Sequence, residues 1–201
     1  MIGMVIVPSA YSEVPPPFEK IISYANCGWS PHFELDSQNS IFFPTSNTAA
    51  VCKLTSTGEA TTITFNDYTG GISTHNLHID NNDNLVFVTD PNGEEQIHKI
   101  TQSGLQLLNF DIINNLDETF QWISDITTDN VGNTYVLGEF YVQTEYRYER
   151  AIWKFNQAGF YVEKLDLPPS YINSSTILTS DSLGNIYYNL RTVDAMNFHI
   201  N

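Results

Sequence analysis

A short pattern recurs four times along this chain and constrains its fold more than any other feature. In each copy an apolar stretch runs into an aspartate, a polar turn follows, and a second apolar or aromatic stretch leaves the turn. The leading aspartates are Asp36, Asp80, Asp129 and Asp181. Similar segments at intervals of about 44 to 52 residues indicate a repeat fold, in which each unit is one supersecondary structure.

A second pattern follows the first, and in it a lysine stands five residues before a glycine. Its three copies cover residues 53–58, 99–104 and 154–159. Both patterns predict hairpins, because an aspartate carboxylate can bond turn amides and because glycine or asparagine tolerates a positive φ. Each unit therefore has four short strands in meander order. In the second unit the predicted strands are 74–79, 85–89, 96–100 and 105–110.

Four-stranded units of this length are typical of β-propeller blades, whose small sheets bury their faces against neighbouring sheets. No helical periodicity interrupts the β-branched and aromatic stretches. The predicted fold class is therefore all-β, a β-propeller of four-stranded antiparallel blades with about four blades present. Its predicted repeats are 31–73, 74–122, 123–175 and an incomplete 176–201. The first copy is predicted to have a turn that is one residue shorter and lacks glycine.

The third unit shows a resemblance to known repeats most clearly. Its Asp-x-x-Gly-Asn-x-Tyr-Val turn, which begins at Asp129, and its Lys-Phe-Asn-x-x-Gly element, which begins at Lys154, resemble NHL-type and related SBBP-type propeller repeats. Such repeats are common in exported bacterial proteins, and the resemblance covers residues 31–201. It implies a propeller fold and, for many members, binding surfaces rather than catalysis.

The two ends of the sequence leave alternatives open. Residues 1–12 are either the remnant of a signal peptide or an ordinary first strand. The segment 13–30 contains apolar residues 18–24, which would supply the missing outer strand of the fourth unit and close a four-bladed ring. In the other interpretation the chain is a fragment of a larger propeller of six to eight blades, which we expect to associate through its open blade edges.

Composition limits the partners and the compartment. The chain has 23 acidic and 8 basic residues, a formal charge of -15, so nucleic acid and anionic membranes are disfavoured partners. No apolar run reaches the roughly 18 to 20 residues of a membrane span. Cys27 and Cys52 form either one disulfide or two buried thiols. We expect an extracellular, cell-surface or periplasmic protein with a protein or glycan ligand.

Motifs of catalysis and metal binding are absent from the sequence. It has no nucleophile elbow, no phosphate-binding glycine loop and no His-Glu-x-x-His, so no catalytic residue is predicted. Residues 80–84 carry the first three oxygen positions of a calcium loop but lack the glycine and the distal glutamate that follow in such loops. A hairpin is the better interpretation, so no metal site and no cofactor are predicted, calcium being the one ion considered.

Aromatic residues and one histidine are the candidate ligand-binding residues. Trp29 and Trp122 both precede their hairpin aspartate by seven residues, which would place two indoles near the channel mouth, either as a platform for a sugar or peptide or as wedges between blades. His75 lies on a predicted inner strand. Tyr141 and Tyr146 lie in an insertion at 139–149, where alternation predicts two elongated strands that form a recognition ledge.

These observations give two functional hypotheses. The first is a non-catalytic, exported β-propeller module that binds protein or carbohydrate through its loop face. The alternative is an enzyme of the lyase or lactone-hydrolase kind, with a divalent metal in the channel. Fold alone does not separate them.

Overall fold

The structure is a computed structural model in which ten segments of the chain are described. They are residues 5–6, 21–22, 32–45, 50–65, 72–89, 95–112, 120–142, 145–167, 177–189 and 197–200. All regular structure in these segments is β-strand. Near the amino terminus, β1 (Val5–Ile6) pairs antiparallel with β2 (Ile21–Ile22). No helix within the described segments has the length and apolarity needed to cross a membrane.

The remaining strands form four antiparallel sheets, which we call blades 1 to 4. Blade 1 contains β3 (Glu34–Leu35), β4 (Ile41–Pro44), β5 (Ala50–Leu54) and β6 (Ala60–Thr64). Blade 2 contains β7 (Ile72–Ile79), β8 (Leu85–Thr89), β9 (Gln96–Ile100) and β10 (Gln106–Asp111). Blade 3 contains β11 (Phe120–Thr128), β12 (Thr134–Val142), β13 (Arg147–Phe155) and β14 (Tyr161–Asp166). The described strands of blade 4 are β15 (Ile177–Ser180), β16 (Ile186–Asn189) and β17 (Asn197–Ile200).

The strand order confirms the predicted meander. In each blade consecutive strands pair antiparallel, so the strands stand in the sheet in the order of the chain. The four strands predicted for the second unit are present, and their ends differ from prediction by at most two residues. The first strand of each blade lies next to the first strand of the following blade, as β7 contacts β11 and β11 contacts β15. This arrangement is that of a propeller, in which first strands are innermost.

Within the described segments, the hydrophobic core has three clusters, one at each junction between successive blades. At the junction of blades 1 and 2, Phe42 and Val51 meet Phe87 and Ile100. The junction of blades 2 and 3 contains Val86, Ile97, Val136, Trp153 and Phe155, among others. Blades 3 and 4 meet through Leu137, Ile152, Leu178, Ile186 and Tyr188. Both faces of an inner blade are therefore apolar, which explains why its strands read as almost continuous hydrophobic runs.

Every aspartate turn has the same two backbone hydrogen bonds, which in the first turn come from Gln38 and Ser40. Asp80 Oδ1 accepts the backbone N–H groups of Asn82 at 2.8 Å and Asn84 at 2.9 Å, and Asn84 also donates its side-chain amide to the carboxylate. The same contacts surround Asp129 and Asp181. Burial alone would raise the pKa of Asp80, but the hydrogen bonds from Lys99 and Asn84 outweigh it and hold the pKa below its ordinary value.

The lysine of the second sequence pattern meets the aspartate of the first. Lys99 Nζ lies 2.6 Å from Asp80 Oδ2, and Lys53 Nζ lies 3.4 Å from Asp36 Oδ2. In blade 3 a tyrosine stands between the two, since Tyr135 donates its hydroxyl to Asp129 and Lys154 lies over its ring. In blades 1 and 2 the two patterns therefore form one charge pair that joins the two hairpins of the blade, and in blade 3 Tyr135 makes the connection.

The predicted short turn of the first copy is wrong. Asp36 N–H bonds to the carbonyl of Ser40 and Asn39 N–H bonds to the carbonyl of Asp36, the same closure as in the other copies. The third turn position is Asn39 in blade 1 and Asp83 in blade 2, both with φ 60°, whereas Gly132 holds it in blade 3. A short polar side chain can adopt this left-handed conformation, so the turn keeps its length without glycine.

Two expectations from the sequence concern the cysteines and the proposed closing strand near the amino terminus. Cys52 is disulfide-bonded, and the sequence has one other cysteine, Cys27, which lies outside the described residues. The open choice between a bridge and two thiols is thus decided for a bridge. Of the proposed closing segment, only Ile21–Ile22 is described, and it pairs with Val5–Ile6. Ring closure by residues 18–24 therefore stays a prediction.

Substituting Asp80→Ala should destabilise the protein by roughly 2–4 kcal/mol, because it leaves two turn amides and the Lys99 ammonium without their acceptor. Equilibrium unfolding in urea measures the change. The matched control is Asp166→Ala, which removes an exposed carboxylate paired with Lys164 and should cost less than about 0.5 kcal/mol. Equal losses in the two variants would contradict the structural role of Asp80.

Reduction of the disulfide should also lower stability, by about 2–4 kcal/mol, because the cross-link restricts the unfolded chain. Thermal unfolding with and without a thiol reductant measures this effect. In the variant Cys52→Ala the reductant should have no effect on the melting temperature. A wild-type protein whose melting temperature is indifferent to reductant would show that the bridge contributes nothing to stability.

Candidate functional site

The innermost strands place polar groups at the junctions between blades. Asn76 and Asp125 both stand four residues before a hairpin aspartate. Asn76 Nδ2 donates to the carbonyl of Ile123 in blade 3 at 3.5 Å, and Asp125 Oδ2 accepts the backbone N–H of Leu178 in blade 4 at 2.7 Å. These equivalent positions therefore link one inner strand to the next.

A second inner position, close to Asp125, holds a contact between a histidine and a glutamate. His78 Nδ1 lies 3.5 Å from Glu34 Oε2, across the junction of blades 1 and 2. Burial raises the pKa of Asp125 to about 7, the hydrogen bonds from Leu178 and Ile126 oppose the rise, and the negative charge of Glu34 adds to it. A carboxyl group with this pKa can exchange a proton near neutral pH, although both of its oxygens accept backbone N–H groups.

The two long strands of blade 3 carry an exposed aromatic surface. Strands β12 and β13 have nine residues each, against four or five in the corresponding strands of blades 1 and 2, which confirms the predicted elongation. The indole of Trp122 is stacked on the ring of Tyr148, with centroids 6.2 Å apart, and Tyr148 contacts Tyr141 at 5.1 Å. We call Trp122, Tyr141 and Tyr148 the aromatic ledge.

Tyr146 lies at the hairpin tip next to the ledge. It is 84% exposed and has φ 52°, in a turn closed by the bond from Glu145 N–H to the carbonyl of Val142. A bulky residue rarely adopts a left-handed conformation, and such outliers often mark functional sites. The tip thus extends the aromatic surface beyond the ledge into solvent.

A buried ion pair stands on the same face of blade 3. Strand register aligns Trp122 with Glu139, and Glu139 with Arg150, so the three residues form one row across the sheet. The next row is Tyr141 opposite Tyr148. Residues that face each other in register project to the same side of a sheet, and so do residues two apart on one strand. The ledge and the ion pair therefore share one surface.

The structure brings together part of the predicted site. Trp122 and Tyr141 both belong to the ledge through Tyr148, and Tyr146 lies at its tip. Trp29 lies outside the described residues, and so does the side chain of His75. Sequence reasoning missed Glu139 and Arg150. Their signal was symmetry, because residues 139 and 150 are as evenly placed about the hairpin as residues 141 and 148.

Neither the channel nor the aspartate turns fit a metal ion among the residues that the structure describes. These residues contain no group of three or more histidine, cysteine, aspartate or glutamate side chains able to hold one. In the turn that resembles a calcium loop, the ammonium of Lys99 lies on Asp80 where a bound cation would have to be. No chemical step through a metal follows from this geometry.

Comparisons with known proteins identify the fold. No protein-family model and no curated protein sequence matches the chain. Among solved structures, a protein of unknown function from Bacteroides caccae is similar with a TM-score of 0.55 at 10% identity, over 91% of this chain and 64% of that one. The chain thus spans less than two thirds of this neighbour's length.

Two further neighbours are enzymes by name. A streptogramin B lyase gives a TM-score of 0.50 at 14% identity, over 90% of this chain and 72% of that one. A gluconolactonase from Xanthomonas campestris gives 0.51 at 12% identity, over 83% and 60%. Both are β-propeller proteins, and at these identities the likeness shows the fold alone. The predicted all-β propeller is confirmed, whereas the NHL-type or SBBP-type assignment stays a prediction.

The raised pKa of Asp125 predicts a stability that depends on pH. From about pH 4 to pH 7 the unfolded state ionises this carboxyl while the folded state keeps its proton, so rising pH removes stability. The variant Asp125→Asn does not titrate there. The unfolding free energy of the wild type should therefore fall relative to that of the variant, by on the order of 1 kcal/mol per pH unit.

Urea unfolding at several pH values measures that difference. Comparison with the variant cancels the opposite trend from His98, whose pKa burial lowers to about 4 and whose neutral form favours folding as pH rises. A difference between wild type and Asp125→Asn that stays constant from pH 4 to pH 7 would contradict the raised pKa.

Proposed function

We propose that this protein is a non-catalytic β-propeller module that binds carbohydrate on the aromatic ledge of blade 3. The observation that carries the proposal is the stacked pair of Trp122 and Tyr148, each 43% exposed at the end of strands longer than their counterparts in blades 1 and 2. An indole used only as a wedge between blades would have its faces covered. Large exposed aromatic rings instead favour ligand contact.

The chemistry of the ledge suits a sugar ring. Aromatic faces offer a flat apolar surface that packs on the C–H groups of a pyranose, and the Tyr hydroxyls offer polar edges to its hydroxyl groups. Two aligned rings together with Tyr146 at the tip give room for more than one sugar unit. The formal charge of -15 disfavours nucleic acid as the stacking partner.

The disulfide supports the expected compartment. Cys52 is bonded, and disulfides persist in extracellular or periplasmic space but are rare in the reducing cytosol. We therefore place the module outside the cytoplasm, where polysaccharides and glycoproteins are available ligands. The resemblance to repeats common in exported bacterial proteins supports the same location.

Substituting Trp122→Ala or Tyr148→Ala should weaken binding to a carbohydrate ligand at least tenfold, because each change removes one ring of the stacked pair. A glycan array of plant, bacterial and host glycans identifies the ligand, and isothermal titration with the best glycan measures its affinity. The control is Phe160→Ala, an exposed aromatic residue of blade 3 in the hairpin between β13 and β14, opposite the ledge.

The outcomes separate the two kinds of partner. Weakened glycan binding in the ledge variants, with Phe160→Ala unchanged and all variants folded, would support the proposal. If the protein binds no glycan on the array, but binds a purified protein partner and loses that binding in Trp122→Ala, then the ligand of the ledge is a protein rather than a carbohydrate. Loss of stability in Trp122→Ala with unchanged glycan affinity would make the indole a packing residue.

A second candidate is a lyase or lactone hydrolase, which the names of two structural neighbours suggest. The feature that favours it is Asp125, with its pKa of about 7, close to the Glu34 and His78 pair. Turnover of a streptogramin B antibiotic or of gluconolactone by the wild type, abolished in His78→Ala, would establish it. Stoichiometric metal in the purified protein would point the same way.

A further inference from the structure

Two blade faces lie outside the three junctions of the described core. We call the side of a blade that faces the preceding blade its near face, and the side that faces the following blade its far face. Each of the three junctions packs a far face on a near face. The near face of blade 1 and the far face of blade 4 belong to none of these three junctions.

A position at the innermost strand shows that the near face of blade 1 is open there. The residue three before the hairpin aspartate is buried against the preceding blade in blades 2, 3 and 4, where it is Leu77, Ile126 and Leu178. In blade 1 the same position holds Phe33, which is 62% exposed, and Leu35 two residues later is also exposed. The near face of blade 1 therefore presents two large apolar side chains to solvent.

A position on the second strand shows the same for the far face of blade 4. The residue six after the hairpin aspartate packs on the following blade in blades 1, 2 and 3, where it is Phe42, Val86 and Tyr135. In blade 4 it is Tyr187, which is 38% exposed although its hydroxyl bonds to the hairpin aspartate as that of Tyr135 does. On the same face of the inner strand, Ile177 is exposed as well.

The two open faces fit each other in the way that the faces of a junction do. At every junction a far face with an apolar or aromatic residue on its second strand meets a near face with a large apolar residue at its first strand, and Tyr187 and Phe33 hold these two positions. Exposed apolar faces of this kind mark association sites. The exposed side chains described on the two faces carry no charge; they are Phe33, Leu35, Ile177, Thr179, Tyr187 and Asn189. Two acidic copies can therefore meet here without bringing like charges together.

Only the inner part of blade 1 is available for such a contact. On its second and third strands the near face is already buried within the chain, at Ile41, Phe43 and Leu54. Inner strands also meet at the existing junctions, where β7 contacts β11 and β11 contacts β15. A second copy would therefore reach Phe33 and Leu35 through its own strands β15 and β16.

We propose that the far face of blade 4 docks on the near face of blade 1 in a second copy of this chain. The contact is heterologous, because each copy contributes a different face to it. Two copies joined at both faces supply eight blades, a number within the range of known propellers, so the assembly is a closed dimer. This association goes beyond the proposed function, since the aromatic ledge belongs to blade 3 and takes no part in the contact.

Sedimentation equilibrium of the full chain, with its disulfide intact, tests the association. The wild type should form a dimer, and the dimer should tighten as salt is raised, because salt screens the repulsion between two copies of formal charge -15. Tyr187→Lys and Phe33→Glu should each weaken the dimer at least about tenfold, because each places a charge against an apolar face.

Mixing the two variants distinguishes a heterologous contact from an isologous one. In an equimolar mixture one contact has wild-type residues on both sides, and the other pairs the introduced lysine with the introduced glutamate. The mixture should therefore form a dimer with an affinity within about tenfold of that of the wild type. The matched controls are Leu183→Lys and Leu105→Glu, which change exposed leucines outside the two faces and should leave the dimer unaltered.

Two further variants repeat the test at neighbouring positions, and circular dichroism shows which variants are folded. Thr179→Lys changes the residue paired with Tyr187 on the far face of blade 4, and Leu35→Glu changes the second exposed residue of blade 1. Loss of the dimer in folded variants of both faces, with recovery in the mixture and unaltered controls, supports the proposal. A wild type that is a monomer at every concentration overturns it. A dimer that is lost in variants of one face only, or of neither face, also overturns it.

Discussion

The carboxylate of the hairpin aspartate is the interaction on which the rest of the structure depends. It closes the first hairpin of every blade through turn amides, and in blades 1 and 2 it also binds the lysine that precedes the second hairpin. Because both hairpins are tied at one point, the four strands of a blade have a fixed register. That register determines which residues face the next blade and which face solvent.

The hairpin aspartates also limit what the acidic composition indicates about binding partners. Asp36, Asp80 and Asp129 are buried in their turns, and their pKa values lie below the ordinary range because hydrogen bonds to the charged form outweigh the cost of burial. Their negative charges are thus compensated by hydrogen bonds inside the fold. The hairpin aspartates thus serve the repeat, so this part of the formal charge of -15 says little about partners.

Local patterns in the sequence predicted the fold well. The aspartate and lysine markers gave the hairpins, and period-two alternation between residues 139 and 149 gave the elongated strands of blade 3. The first turn was predicted one residue too short, although Asp36 and Ser40 have the same spacing as Asp80 and Asn84 and Asn39 takes the left-handed position. Contacts across three strands were not predictable. The stacking of Trp122 on Tyr148 and the pairing of Glu139 with Arg150 depend on two registers at once, and the bulge between Ile123 and Asp125 in β11 changes one of them.

The meander order of the blades has a consequence for how the chain folds. Each strand pairs with the next one along the chain, so most contacts within a blade join residues that are close in sequence. Closing such short loops costs little chain entropy, and a low contact order favours rapid formation of each sheet. The contacts between blades join residues roughly 50 positions apart, as between Asp125 and Leu178. We therefore expect blades to form as local units first and to dock on one another afterwards, in the order in which the chain is synthesised.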